Sequence, residues 1–428
     1  MRSFLWIKKM AGQVKWFSSG NINSPELSNS WGSLLNVLEA CLLTGYGSQA
    51  IQSITIENGV ATSDFSTAHK LEMFQWVEIS GSTIEVLNGE FKVLGATATT
   101  IEFLVDLPNQ TIAETLSCRL APLGWSKPFS DTGRAVFQAK NTAKNPYFLR
   151  VDDTCDPLHT PTRAKFAKVG ILESCTGIDD ISGNQAPFDP LLPTKNWIGT
   201  GTVGSTSAYI GWARWIYATV GPVNTNRIAL TSIAAAEVRD WILVGDDESF
   251  YILPGAVGNA STHIFKDNSV CYGFGVFEGL DCPFLVAENF YTTIGDQYYI
   301  GDRRTMSSKN HGRLVLLKNR DGSYISGVTQ TIYPTLNYGV HTGSTSGATN
   351  VFLANELGGI YHAPFVAVDT QNAYLGTMPI LRNVLNSTET TEPLTTLFSD
   401  MGRAYIKHKH IGTDNVRGSI ILDLGEIA

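Results

Sequence analysis

The chain carries two kinds of periodicity. From Ser30 to Thr44, apolar residues recur as Trp31, Leu34, Leu35, Leu38, Cys41 and Leu42, the spacing of a helix with one buried stripe. Ser28 or Ser30 is placed to cap its start, and Gly45 to end it. From Gln52 the period drops to two: Ile54 and Ile56 alternate with polar residues, Asn58-Gly59 follows, and Val60, Thr62 and Asp64 resume. Asn-Gly between alternating runs predicts a hairpin, because both turn positions need positive φ. Val77 and Ile79, Phe91 and Val93 after Asn88-Gly89, and Ile101 and Phe103 continue the alternation. Residues 51–120 therefore read as a small antiparallel barrel or sandwich.

Strand patterns dominate beyond residue 120. Trp241–Val244 and Phe250–Leu253 flank Gly245-Asp-Asp-Glu-Ser249, which predicts a hairpin with a solvated acidic tip. Leu314–Leu317 and Tyr324-Ile325 flank Asn319–Gly322, a second hairpin. Residues 256–428 continue the β pattern, Ile360–Val366 and Tyr374–Leu381 included, and Ser419–Leu424 reads as a last strand. Trp197, Trp212, Trp215 and Trp241 are expected in a core or an interface. Asp179–Pro193, with three prolines, reads as an irregular loop, and Tyr338–Asn350 and Ser387–Thr396 as exposed segments. The expected class is mainly β: several small antiparallel sandwich or barrel domains with one N-terminal helix. Residues 10–50 with 121–255 would form a core domain, 51–120 an inserted module, and 256–428 a C-terminal β-rich domain.

Composition narrows the function. A chain of 428 residues exceeds one ordinary hydrophobic core. Only 16 % of residues are charged, below the usual quarter, so Ser, Thr, Asn, Gln and 40 glycines must cover much of the surface. That balance suits a β-rich assembly protein, since interface cores are depleted in charge. A net charge of −8 without a long basic run argues against direct nucleic-acid binding. No apolar run is long enough for a membrane-spanning helix. Six cysteines, at 41, 118, 155, 175, 271 and 282, form no CxxC pair and read as reduced, mostly buried thiols, with a Cys271–Cys282 bridge left open. Met10-Ala-Gly reads as a natural start, so residues 1–9 are expected to be an upstream extension.

Candidate chemistry is sparse. Gly199-Thr-Gly-Thr-Val-Gly204 matches GxGxxG, but β-favouring Tyr209-Ile210 follows where a dinucleotide site needs a helix. Gly343-Ser-Thr-Ser-Gly347 places Thr345 where a nucleophile elbow needs serine. Asp246, Asp247 and Glu248 are hard oxygen ligands without EF-hand spacing. His408 and His410, in Lys407-His-Lys-His410, would share one face of a strand. Around a threefold axis such pairs would offer six nitrogens to one metal ion, an arrangement that some phage spike tips use, while the alternating lysines would repel it. They are the candidate metal ligands; no cofactor and no catalytic residue is expected. Nine Trp and fifteen Tyr would also suit a sugar-binding platform, although the same residues favour protein interfaces.

Four segments carry a resemblance: Leu38-Glu-Ala-Cys-Leu42, Gly45-Tyr-Gly-Ser48, Gly124-Trp-Ser-Lys-Pro-Phe-Ser130 and Phe148-Leu-Arg-Val-Asp-Asp153. In that order they resemble a family of tailed-bacteriophage virion proteins, with a phage-tail-type β module inserted at 51–120. The resemblance implies a non-enzymatic structural component of the tail, baseplate or neck. Such a protein would assemble as a homo-oligomer with other virion proteins in the host cytoplasm. A head decoration or fibre protein, or a protein binding polysaccharide on the bacterial surface, are the alternatives.

Overall fold

The computed structural model describes residues 13–203, 210–219, 227–229, 233–255, 271–280, 282–289, 297–299, 314–326, 362–371, 373–384, 395–411 and 417–427. Across them the protein is mainly β, with antiparallel pairing throughout and one α-helix.

Three sheets stack face to face. The central sheet orders its strands as Lys15–Ser18, Trp241–Gly245, Phe250–Pro254, Tyr272–Val276, Pro283–Val286 and Leu314–Leu316. Its strands are apolar at nearly every position because both faces are covered. Phe250, Ile252, Phe274 and Leu285 join Phe137, Leu149, Val151, Val169 and Trp215 on one side. Tyr251, Leu253, Phe284 and Val286 join Phe365, Leu375, Leu381, Ile406, Ile420 and Leu422 on the other. Alternate residues of one strand thus enter two separate cores, as the period of a strand dictates. The strands come from both sides of residue 255.

The second layer runs Ser126–Asp131, Arg134–Gln138, Phe148–Asp152, Lys165–Leu172, Ala213–Ala218 and Glu288–Asn289, with Gln185–Ala186 paired to Lys165–Leu172. The third runs His362–Val368, Tyr374–Val384, Arg417–Glu426, Arg403–Ile411 and Thr395–Asp400. Arg227–Ala229 pairs with Gln297–Tyr299 as a separate ribbon.

A fourth sheet is built entirely from strands between Tyr46 and Leu120. Its first hairpin turns at Asn58-Gly59, where φ is 53° and 80°. Asn88-Gly89 behaves differently. Asn88 stays at φ −87°, and its side chain clasps Ser82, accepting from its N–H at 2.9 Å and donating to its carbonyl at 2.9 Å. Tyr46 pairs with Leu120, so the chain enters and leaves this sheet side by side. Lys15 ties it to the central sheet, 2.7 Å from Glu90 and 2.6 Å from the Pro122 carbonyl. Lys92 ties it to the third layer through the Leu424 and Glu426 carbonyls.

The helix spans Ser33–Glu39 and widens into a π-type turn over Ala40–Thr44, closed by the Gly45 N–H on the Ala40 carbonyl at 2.8 Å. Gly45 ends it at φ +68°, and any Cβ there would collide with the Leu120 carbonyl. The expected Ser28 or Ser30 cap is not used. Ser28 Oγ accepts the Ser30 N–H instead, Gly32 holds the cap position, and the capping carboxylate comes from Asp153.

The hairpin tip at Asp246–Ser249 differs from the expected solvated tip: Asp246, Asp247 and Glu248 are half-buried and gripped by neighbouring segments. The Trp125 indole donates to the Asp246 carbonyl at 2.8 Å, and the Asn145 amide to the Glu248 carbonyl at 2.7 Å. Asp246 accepts the Glu248 and Ser249 N–H groups, and burial pushes its carboxyl up to about 7. None of the six cysteines forms a disulfide, Cys271 and Cys282 included. Trp197, Trp212, Trp215 and Trp241 are all buried. Gly343–Gly347 and residues 1–12 lie outside the described residues.

Candidate functional site

The densest chemistry lies on the outer face of the second layer. Asp131 pairs with Arg134, Arg134 with Asp152, Asp152 with Lys168, Lys168 with Arg214, and Arg214 with Glu288. Directly opposed residues share a face, so these six side chains form one row across six strands. Its outer end is wet, where Arg134 holds Asp131 and Asp179. Its inner four members are each 6 % exposed or less.

Burying ions requires pairing. Lys168 Nζ lies 3.3 Å from Asp152 Oδ2 and 3.3 Å from Asp156 Oδ2, and donates to the Trp197 carbonyl at 2.7 Å. Asp156 also accepts the Leu158 N–H at 2.9 Å and the Gly199 N–H at 3.3 Å. Asp152 accepts the Thr154 hydroxyl at 2.6 Å. Lys168 opposite Arg214 is a like-charge pair, which ordinarily destabilises a sheet. The two diverge: Arg214 turns to the Gly211 carbonyl and the Phe166 ring, while Lys168 turns to the carboxylates. Arg150 joins on the same face, 3.9 Å from Asp152, and donates to the Ile178 carbonyl. Three buried cations (Arg150, Lys168 and Arg214) thus face three buried anions (Asp152, Asp156 and Glu288).

The segment after Asp153 roofs this row. The Trp197 ring covers the Arg150 guanidinium at 4.3 Å. It also lies over Gly170, the register partner of Arg150, where a Cβ would come within 2.6 Å of the ring. Asn196 fastens the roof, donating to the Val169 carbonyl and accepting the Trp212 and Ala213 N–H groups. Gly199 of the GxGxxG match belongs to this roof, its amide spent on Asp156. At the row's inner end His159 donates from Nε2 to the Ala164 carbonyl at 2.9 Å, and burial lowers its pKa to about 4.

The inner face of the same sheet holds a second junction. Asp153 accepts the Tyr217 hydroxyl at 2.6 Å and the Leu35 N–H at 3.3 Å, with Gly32 and Leu34 also donating. At the other end of the helical segment, the Leu123 N–H donates to the Cys41 carbonyl, and the Gly124 and Trp125 N–H groups to that of Leu42. The helix is therefore held at both ends by residues of the later segments.

His408 lies on Arg403–Ile411, paired with Thr395 and Ile420, and is 2 % exposed. The His410 side chain is outside the described residues. Among the described residues, no group of three or more His, Cys, Asp or Glu gathers as a metal centre, and no helix is long and apolar enough to cross a membrane. The charged row gave little signal in the sequence, because its members are brought together by strand register alone. No protein-family model, curated protein or solved structure matches the chain significantly.

Proposed function

We propose that the chain is a structural component of a tailed-bacteriophage virion, placed in the tail, baseplate or neck. It acts by protein–protein assembly as a symmetric homo-oligomer and turns over no substrate. The observation that supports this reading is what the resemblance-bearing residues do. Asp153 of LRVDD caps the leucine-rich helix, Gly124 and Trp125 bind its far end, and Gly45 abuts Leu120. These motifs serve architecture: they clamp an inserted β module to a stacked-sheet body.

Stacked antiparallel sheets with few surface charges suit a subunit that works through large repeated contacts. Light scattering on the purified full chain tests the assembly. The expected mass is a small integer multiple of 46.6 kDa. A monomer at all concentrations would contradict it. Fractionating particles into heads and tails separates a tail component from a decoration protein, and binding to bacterial polysaccharide would instead favour the surface-binding alternative.

A further inference from the structure

We propose that Lys168 and Asp156 form an intramolecular isopeptide bond, with Asp152 as the proton-transfer group. This inference rests on the charged row and not on the virion reading. A single primary amine meets two carboxylates at 3.3 Å each. All three residues are 6 % exposed or less, so water competes poorly for the amine or the carboxyl carbon. Such fixed proximity replaces a bimolecular encounter and strongly favours acyl transfer between neighbours.

The surroundings assign the roles. Asp156 holds backbone donors on both oxygens, the Leu158 N–H on Oδ1 and the Gly199 N–H on Oδ2. Those donors are placed to stabilise negative charge as a tetrahedral centre forms at Cγ. Asp152 sits directly across the strand pair from Lys168, its Oδ2 3.3 Å from Nζ. It is the carboxylate suited to accept and return a proton. The Trp197 carbonyl, 2.7 Å from Nζ, orients the amine.

The step balances without a co-reactant. Asp152 takes one proton from the Lys168 ammonium and passes it to Asp156, leaving a neutral amine and a neutral carboxyl. Nζ attacks Cγ of Asp156, and a C–N bond forms. The Cγ–O bond to the hydroxyl breaks, and that oxygen leaves as water with the second nitrogen proton, relayed by Asp152. Lys168 ammonium and Asp156 carboxylate become one amide and one water, and Asp152 is regenerated.

Intact-mass spectrometry of the full chain tests this. The wild type should be lighter by one water than its sequence requires, and the Lys168→Arg variant should carry its full mass. Trypsin should fail to cut after Lys168, and the digest should contain a branched peptide joining the Asp156 and Lys168 segments. Asp156→Asn should form the same amide with loss of ammonia, and Asp152→Ala should stay unlinked. A wild-type chain at full mass, or a water loss mapped to another pair, overturns the proposal. The wild-type digest decides even if a variant fails to fold.

Discussion

Asp153 accepts the backbone N–H of Leu35 at 3.3 Å, across 118 residues of sequence. One carboxylate therefore joins the second layer to the start of the only α-helix among the described residues. Removing it leaves three helix amides and the Tyr217 hydroxyl without their partner. Asp153→Ala should cost about 2 kcal/mol or more, the upper range for a lost helix cap. Urea denaturation followed by tryptophan fluorescence would measure it.

The same residue sets a pH dependence. Burial pushes Asp153 up to about 7, from an ordinary 3.8 in the unfolded chain. Between those values the folded state holds a proton that the unfolded state has released. Its contribution therefore falls as pH rises through that window, and is flat above about 7. His159, lowered to about 4, works in the opposite direction between about 4 and its ordinary 6.5. The difference between wild type and Asp153→Asn isolates the aspartate: the stability of wild type minus that of the variant should fall from pH 5 to pH 7, and a difference that rises would refute the assignment.

Truncating Arg150 to Met removes a buried guanidinium from beside Asp152 and from the Ile178 carbonyl. The expected loss is about 3–5 kcal/mol, as for other broken buried ion pairs. The half-exposed Arg119–Glu78 pair is the control, and Arg119→Ala should cost about 1 kcal/mol or less. Equal losses in the two variants would show that the row is not a buried network.

Much of the secondary structure was legible because it is local. The Asn58-Gly59 turn and the Trp241–Gly245 and Phe250–Pro254 hairpin follow from alternation and turn residues, and the Arg417–Glu426 strand from its apolar run. The helix cap was not legible, because Asp153 lies far away in sequence while Ser28 and Ser30 lie close. The grip on the acidic tip was not legible either, because composition does not reveal that Trp125 and Asn145 reach it. The charged row was invisible for the same reason: Asp152, Lys168, Arg214 and Glu288 look like scattered surface charges until strand register aligns them.

Gly45 is a fourth point of leverage. Its φ of +68° and its contact with the Leu120 carbonyl leave no space for a side chain. Gly45→Ala should destabilise the junction between helix and module by about 2 kcal/mol or more. Gly81, at φ +92° with nothing within 4 Å, is the comparison, and Gly81→Ala should cost about 1 kcal/mol. Thermal unfolding of both variants checks the ranking.

We propose that this chain is a stoichiometric part of a viral particle. Quantitative mass spectrometry of particles purified from cells carrying the gene in its native genome tests it directly. Peptides of the chain should co-purify with intact particles through a density gradient, at a fixed ratio to the other particle proteins. Their confinement to the soluble fraction would contradict the account.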